Sequence, residues 1–277
     1  MKPLCSAAAA LMILCGNALF PLSACRAADN ELTPHEKADG WRLLFDGKTG
    51  SGWSISGRPL PQPNVADGAI STRGVGEGRP KYVVVTDDSF GDFVLQADFK
   101  VTHECNSGIF FRVADPEDPV QTGLEFQIFD SYGWGRDKAW KHIPANKPDE
   151  AKYWACGALY AAQPPSENAM KPAGEWNHVE ITAIGPKLTF VLNGKTINQI
   201  DLDEWTTVGK NPDGTSNKYK KAMKDFPRVG KIGLQDHNKV GTKDPHEAWF
   251  KNVKIKPLAP DSASGNSAAA NKKPESK

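Results

Sequence analysis

The residues best suited to chemistry lie in one short stretch, residues 123–130, which reads Gly-Leu-Glu-Phe-Gln-Ile-Phe-Asp. Large apolar residues alternate there with Glu125 and Gln127. Because successive side chains of a strand point to opposite faces, one face is apolar and the other carries a carboxylate and an amide. Solvent-facing strand positions more often carry Thr, Lys or Ser, so this pair predicts a polar face that holds a ligand.

Two further segments show the same alternation. In residues 106–113, parity places Arg112 on the face opposite Ile109 and Phe111. In residues 231–237, Gln235 and His237 share one face. If these strands are neighbours, five side chains converge on one polar patch: Arg112, Glu125, Gln127, Gln235 and His237.

Three of these residues also have a purely structural interpretation. Glu125 and Arg112 could form an ion pair that only fills the polar face. His237 ends its segment before the turn-like Asn238-Lys239, and a single histidine is more often structural than catalytic. The sequence leaves both alternatives open.

The elements that must position these side chains are short strands. Runs of β-branched and aromatic residues alternate with Gly, Pro, Asn and Asp, a pattern typical of antiparallel sandwiches. Asn193-Gly194 between two such runs predicts a hairpin, because both residues accept a positive φ. We therefore expect an all-β jelly-roll sandwich. The predicted strands are residues 82–86, 93–101, 107–113, 124–129, 157–161, 178–184, 187–192, 231–234 and 249–255.

The N-terminus predicts export. Residues 1–24 have one early lysine, an apolar middle and small residues at the end, which is typical of a secretory signal. The Leu-Ser-Ala-Cys sequence ending at Cys25 resembles a bacterial lipobox and predicts an envelope lipoprotein; the alternative is cleavage after Ala27 or Ala28 and a soluble periplasmic protein. Beyond it we expect a tether over 25–39, one jelly-roll domain over 40–257 and a disordered tail over 258–277.

Charge and cysteine content narrow the partners. The chain has 34 Lys and Arg against 33 Asp and Glu, a net charge of +1. This balance argues against nucleic acid and anionic membrane surfaces as partners, so we expect a membrane contact only through the lipid anchor. Beyond the signal, Cys105 and Cys156 are predicted either to form one disulfide in an oxidising envelope or to be two buried thiols.

Motifs in order over residues 40–257 give the chain a family resemblance. They include Leu44-Phe45-Asp46-Gly47, Asn106-Ser107-Gly108-Ile109, Gly157-Ala158-Leu159-Tyr160, Gly174-Glu175-Trp176-Asn177 and Gly233-Leu234-Gln235-Asp236-His237. Together they resemble the 3-keto-disaccharide hydrolase family. The resemblance implies a concanavalin-like jelly roll, secretion, and cleavage of glycosides whose sugar carries a ketone at C3.

That activity would require a base near C2, a device for an enolate oxygen and an acid for the leaving group. Glu125 and His237 are the candidate proton-transfer residues. Arg112, Gln127, Gln235 and Tyr160 are the candidate substrate-binding residues. One divalent metal ion could serve as the electrophile, with Asp130 and Asp236 as candidate ligands.

Two other functions stay open at this stage. One is a binding module without catalytic activity, since jelly rolls host both roles and fold does not decide function. The other is a conventional glycosidase that uses two carboxylates, with Glu125 paired to Asp130 or Asp236.

Overall fold

The computed structural model describes residues 28–55, 58–60, 64–73, 82–131, 152–237 and 246–258. Two antiparallel sheets pack face to face around one hydrophobic core, so the chain is an all-β jelly-roll sandwich as predicted. Within the described part, none of the helices has the length and apolar character needed to span a membrane. The predicted signal segment, Cys25 and the tail beyond Leu258 lie outside the described residues.

The strands follow the predicted pattern closely. In chain order they are β1 (Arg42–Leu43), β2 (Trp53–Ile55), β3 (Arg58–Pro59), β4 (Val65–Ala66), β5 (Ala69–Ser71), β6 (Tyr82–Thr86), β7 (Phe93–Val101), β8 (Asn106–Val113), β9 (Leu124–Phe129), β10 (Asn177–Ile184), β11 (Lys187–Leu192), β12 (Lys195–Asp201), β13 (Lys231–Asp236) and β14 (Ala248–Pro257). Two short helices are α1 (Pro34–Ala38) and α2 (Pro119–Thr122).

The described strands divide into a sheet of eight and a sheet of six. The eight-stranded sheet has the order β12-β11-β10-β7-β14-β5-β4, with β1 also beside β14. The six-stranded sheet has the order β3-β2-β6-β13-β8-β9. The strands that carry the candidate residues, β13, β8 and β9, are therefore direct neighbours at one side of the smaller sheet.

Alternation builds the core between the sheets. On β7, Phe93, Leu95 and Phe99 are at most 1% exposed, and each such burial contributes about 1.5–3 kcal/mol. Phe111 of β8 packs edge to face on Phe93 and on Phe190, with ring centroids 6.2 and 6.0 Å apart. These contacts join the two sheets at the centre of the sandwich.

The Asn193-Gly194 hairpin forms as predicted between β11 and β12. Leu192 pairs with Lys195, and the two turn residues have φ of +51° and +82°. Both values lie in the left-handed region that these residue types tolerate.

The prediction of a tether over residues 25–39 was wrong for residues 28–39, which are the part that the structure describes. Asn30 and Asn252 exchange hydrogen bonds, each side-chain oxygen accepting the other residue's backbone N–H at 2.6 and 2.8 Å. A capping box at Thr33 begins α1, and Glu36 of that helix pairs with Lys254 of β14. These contacts bind the segment to the eight-stranded sheet, so the folded unit begins before residue 40.

The predicted strand over residues 157–161 was also wrong. This stretch is a turn that closes the flank between β9 and β12, with isolated bridges from Leu159 to Phe126 and to Gln163. Gly157 N–H donates to the Gln127 carbonyl at 2.8 Å, and the Gly157 carbonyl accepts from Asn198 Nδ2 at 2.9 Å. The turn therefore hydrogen-bonds to an edge strand of each sheet.

Both described cysteines are free and buried, which corresponds to the thiol alternative. Burial raises the pKa of Cys105, and the charge of Asp236 raises it further. Burial raises the pKa of Cys156 to about 12. Neither thiol is therefore an activated nucleophile.

Candidate active site

The outer face of the six-stranded sheet, turned away from the core, holds Glu125, Gln127 and Gln235. Gly108 of β8 pairs with Gln127 of β9, and Phe110 pairs with Glu125. On the other side of β8, Ile109 pairs with Leu234 of β13. Continuing that register by one residue places Gln235 opposite Gly108.

The carboxylate of Glu125 lies over Gly108. A Cβ on Gly108 would stand 2.5 Å from Glu125 Oε1. Because Gly108 has no side chain, the Glu125 carboxylate can occupy this space. Glu125 is only 3% exposed although it is on the outer face. Its charge is thus held in a largely desolvated hollow, where electrostatic effects on neighbouring groups are strong.

Two side-chain amides flank this position. Gln127 Nε2 donates to Asn106 Oδ1 at 3.1 Å, which fixes the orientation of the Gln127 amide. Gln235 is 5% exposed, and its Oε1 has no hydrogen-bond partner among the described residues. A buried acceptor without a partner costs free energy unless a ligand or water satisfies it, so Gln235 points to a binding role.

Two tyrosines, Tyr160 and Tyr219, also lie near Glu125. Tyr160 N–H donates to the Glu125 carbonyl at 3.1 Å, and the Tyr219 hydroxyl donates to the Tyr160 carbonyl. Burial and then the charge of Glu125 raise the pKa of Tyr160 to about 12. The same two causes raise the pKa of Tyr219 well above its usual value. Both phenols are therefore neutral donors at neutral pH.

Tyr219 and Lys218 were not among the site residues predicted from the sequence. Lys218 Nζ stands 3.6 Å from the centroid of the Tyr160 ring. Gln121 of α2 holds the segment in place: its amide donates to the Lys218 carbonyl at 3.3 Å and accepts from Lys220 N–H at 2.9 Å. The only sequence signal was the length of the connection over residues 204–227, since long loops in compact domains are often functional.

His237 follows β13 directly and continues the alternation of Gly233 and Gln235. Gly233 belongs to the outer face, since a Cβ there would meet Val83 and Phe110 of that face. His237 is half-buried, and the alternation of β13 extended by one residue places it on the same side as Glu125. Its role in the site stays a prediction.

The prediction that Arg112 shares this face was wrong. The register between β13 and β8 shifts between Lys231 and Gly233, so β8 carries a bulge at Phe111 and Arg112. The fully buried Arg112 donates to the Gly91 carbonyl at 3.1 Å and the Gly185 carbonyl at 2.7 Å. It also donates to Asp92 Oδ1 at 2.9 Å. Arg112 thus ties β8 to the other sheet, and an ion pair between Glu125 and Arg112 does not form.

Asp130 and Asp236 do not share a face with Glu125, and their assignment as metal ligands stays a prediction. Asp130 and Asp236 have the parity of Ile128 and Leu234, which belong to the core between the sheets. Asp130 accepts the Glu104 N–H at 3.1 Å, and both aspartates raise the pKa of the buried Cys105. Among the described residues, no three His, Cys, Asp or Glu side chains are grouped to hold a metal ion.

Comparisons with known proteins give the family of the chain. Residues 40–256 match the family described as 3-keto-alpha-glucoside-1,2-lyase-like domain. A Bacteroides thetaiotaomicron protein named 3-keto-disaccharide hydrolase is 25% identical over 246 residues, covering 80% of this chain and 79% of that protein.

Two crystal structures of Parabacteroides distasonis proteins, described as candidate glycosyl hydrolases, are also similar. One has 29% identity and a TM-score of 0.60, covering 79% of this chain and 99% of its own. The other has 27% identity and a TM-score of 0.63, covering 84% of this chain and 100% of its own. By the match over residues 40–256, the chain belongs to the 3-keto-alpha-glucoside-1,2-lyase-like domain family.

Proposed function

We propose that this protein is an exported carbohydrate-active hydrolase that cleaves a glycoside whose sugar carries a ketone at C3. One observation carries the proposal: the Glu125 carboxylate lies over Gly108 in a desolvated hollow with an amide on either side. The family and the name of the Bacteroides relative support the substrate class.

The chemistry follows from the ketone, which acidifies the proton on C2. In the proposed reaction Glu125 takes that proton, and the C–H electron pair forms an enolate with the C3 oxygen. The enolate collapses to a C1–C2 double bond while the C1–O bond to the leaving group breaks. Water then adds at C1 and C2 regains a proton, so the net reaction is hydrolysis.

The surrounding residues are assigned by their donors and acceptors. Tyr160 stays protonated, because its pKa is about 12, and we assign it a hydrogen bond to the enolate oxygen. The amides of Gln127 and Gln235 bind sugar hydroxyls, the latter through its unpartnered Oε1. His237, on the same face, supplies the proton for the leaving group.

The test compares a 3-keto-disaccharide with the same disaccharide before oxidation, with and without a chelator. The proposal predicts cleavage of the oxidised sugar alone. Cleavage of the unoxidised sugar would instead support a conventional glycosidase. Saccharide binding with no turnover of either sugar would support a binding module. Loss of turnover on chelation would show that a metal takes part and would require a different electrophile.

We also propose that the chain is exported and lipidated at Cys25, on the basis of its N-terminal sequence. Asn30, which is fixed to β14, follows Cys25 by five residues, so the anchor could stand at most about 17 Å from that point. Cells expressing the wild-type chain should show it in membrane fractions, and Cys25→Ser should release it. Wild-type protein found only in soluble fractions would reject the anchor.

A further inference from the structure

A cavity of about 510 Å³ opens on the flank of the sandwich, apart from the Glu125 site. It lies between β12, residues 162–166 and residues 204–213, and none of its lining residues belongs to the Glu125 site. Its volume is within the range of pockets that bind small molecules. We propose that this cavity is a separate binding site for a neutral saccharide.

The cavity offers polar groups that form no hydrogen bonds within the described chain. Ser166, Thr196, Gln199 and Glu204 line it, and their side chains form no hydrogen bond with the rest of the described chain. Together they present two hydroxyls, an amide and a carboxylate. This set offers donors and acceptors in the mixture that sugar hydroxyls require.

The walls of the cavity are rigid. Asn198 Nδ2 donates to the Gly157 carbonyl at 2.9 Å, and Asn198 Oδ1 accepts from Gln163 Nε2 at 3.2 Å. Opposite them, Trp205 Nε1 donates to Asn211 Oδ1 at 3.1 Å. A wall already held by internal hydrogen bonds loses little conformational entropy when a ligand binds.

The lining of the cavity also indicates the class of ligand. Tyr153, Pro164 and Pro165 are half-buried and line the cavity, and their rings suit the C–H face of a sugar. The charged lining residues are Lys152, Glu204 and Asp213, one cation against two carboxylates. This balance disfavours a phosphate or another anion and favours a neutral polyhydroxylated ligand.

The experiment measures binding in the Glu125→Gln protein, so that turnover does not interfere. Sucrose, maltose, lactose and cellobiose are titrated by calorimetry. Ser166→Trp fills the cavity from an exposed loop position, and Ser51→Trp is the matched control in an exposed turn before β2. We expect at least one disaccharide to bind, with affinity at least tenfold weaker in Ser166→Trp and unchanged in Ser51→Trp.

A second variant tests the polar contacts without adding bulk. Gln199→Ala should also weaken binding, because it removes an exposed amide that lines the cavity. The side chain of Gln199 forms no structural hydrogen bond with a described residue, so the fold should not change. Absence of binding to all four disaccharides would overturn the proposal. So would binding that Ser166→Trp leaves unchanged, since the ligand would then occupy another site. Cleavage of a 3-keto-disaccharide does not enter this test, so either proposal can fail alone.

Discussion

The Glu125 carboxylate occupies the space that a side chain on Gly108 would fill: a Cβ there would stand 2.5 Å from Glu125 Oε1. The two residues are on adjacent strands, with Gly108 paired to Gln127 and Glu125 paired to Phe110. A glycine in a strand weakens it, and such positions often mark a close approach of another group. Here that group is the proposed base.

Gly108→Ala should therefore reduce turnover while leaving the fold intact. The added methyl group would meet only the end of a flexible side chain, which can move at little cost. A displacement of the carboxylate by about 1 Å can reduce the rate about 100-fold. Steady-state kinetics on a 3-keto-disaccharide and urea unfolding check both halves. Gly91→Ala is the control, because its Cβ would meet only Val229 at an ordinary 3.5 Å.

Wild-type turnover in Gly108→Ala would show that the position of the Glu125 carboxylate does not matter to the reaction. A large loss of stability in that variant, with turnover per folded molecule unchanged, would assign Gly108 a purely structural role.

Tyr160 provides a prediction about pH. Its folded pKa of about 12 is above the model-peptide value of 10, so the protonated form is favoured in the fold. The stability that this contributes is complete below pH 10 and is lost as the pH rises toward 12. Tyrosinate absorbance should show a late-titrating group that Tyr160→Phe removes.

Glu125→Gln should lower the pKa of Tyr160, because the charge of Glu125 is one of its two causes. The value should stay above the ordinary one, since burial, the larger cause, remains. An unchanged titration curve in Glu125→Gln would mean that the two side chains are not electrostatically coupled.

Arg112 should be a stability residue. Replacing it with Met leaves the Gly91 and Gly185 carbonyls without their donors and Asp92 without its cation. Removal of one partner of a buried charged pair costs about 3–5 kcal/mol. Urea unfolding should show that loss, while turnover per folded molecule stays at the wild-type level. Normal stability with lost turnover would return Arg112 to the active site.

Much of the fold could be predicted from local pattern. The alternation in β7, β8 and β9 predicted which side chains face the core. Asn193-Gly194 predicted a hairpin, and both of its turn residues have a positive φ. The position of Arg112 could not be predicted, because one extra residue in β8 reverses the parity beyond it. Val113 accordingly packs with Val83, Val85 and Phe110 on the outer face. In the sequence, Gly230 indicates the bulge, because a Cβ at that position would overlap the Arg112 backbone.

The candidate site was predictable to the extent that it lies on strands. Glu125, Gln127 and Gln235 follow period two, and the neighbouring order of β13, β8 and β9 brings them together. Tyr219 and Lys218 come from a connection with no periodic pattern. Their approach to Tyr160 depends on contacts with α2, which no local pattern encodes.

The central claim, that Glu125 removes the C2 proton, is tested most directly by hydrogen exchange. The protein is incubated with a 3-keto-disaccharide in deuterated water, and the released 3-keto sugar is examined by mass spectrometry and NMR. We predict deuterium at C2 in the wild-type product, and neither exchange nor cleavage with folded Glu125→Gln protein. Cleavage that leaves the original hydrogen on C2, or exchange that persists in Glu125→Gln, would contradict the claim.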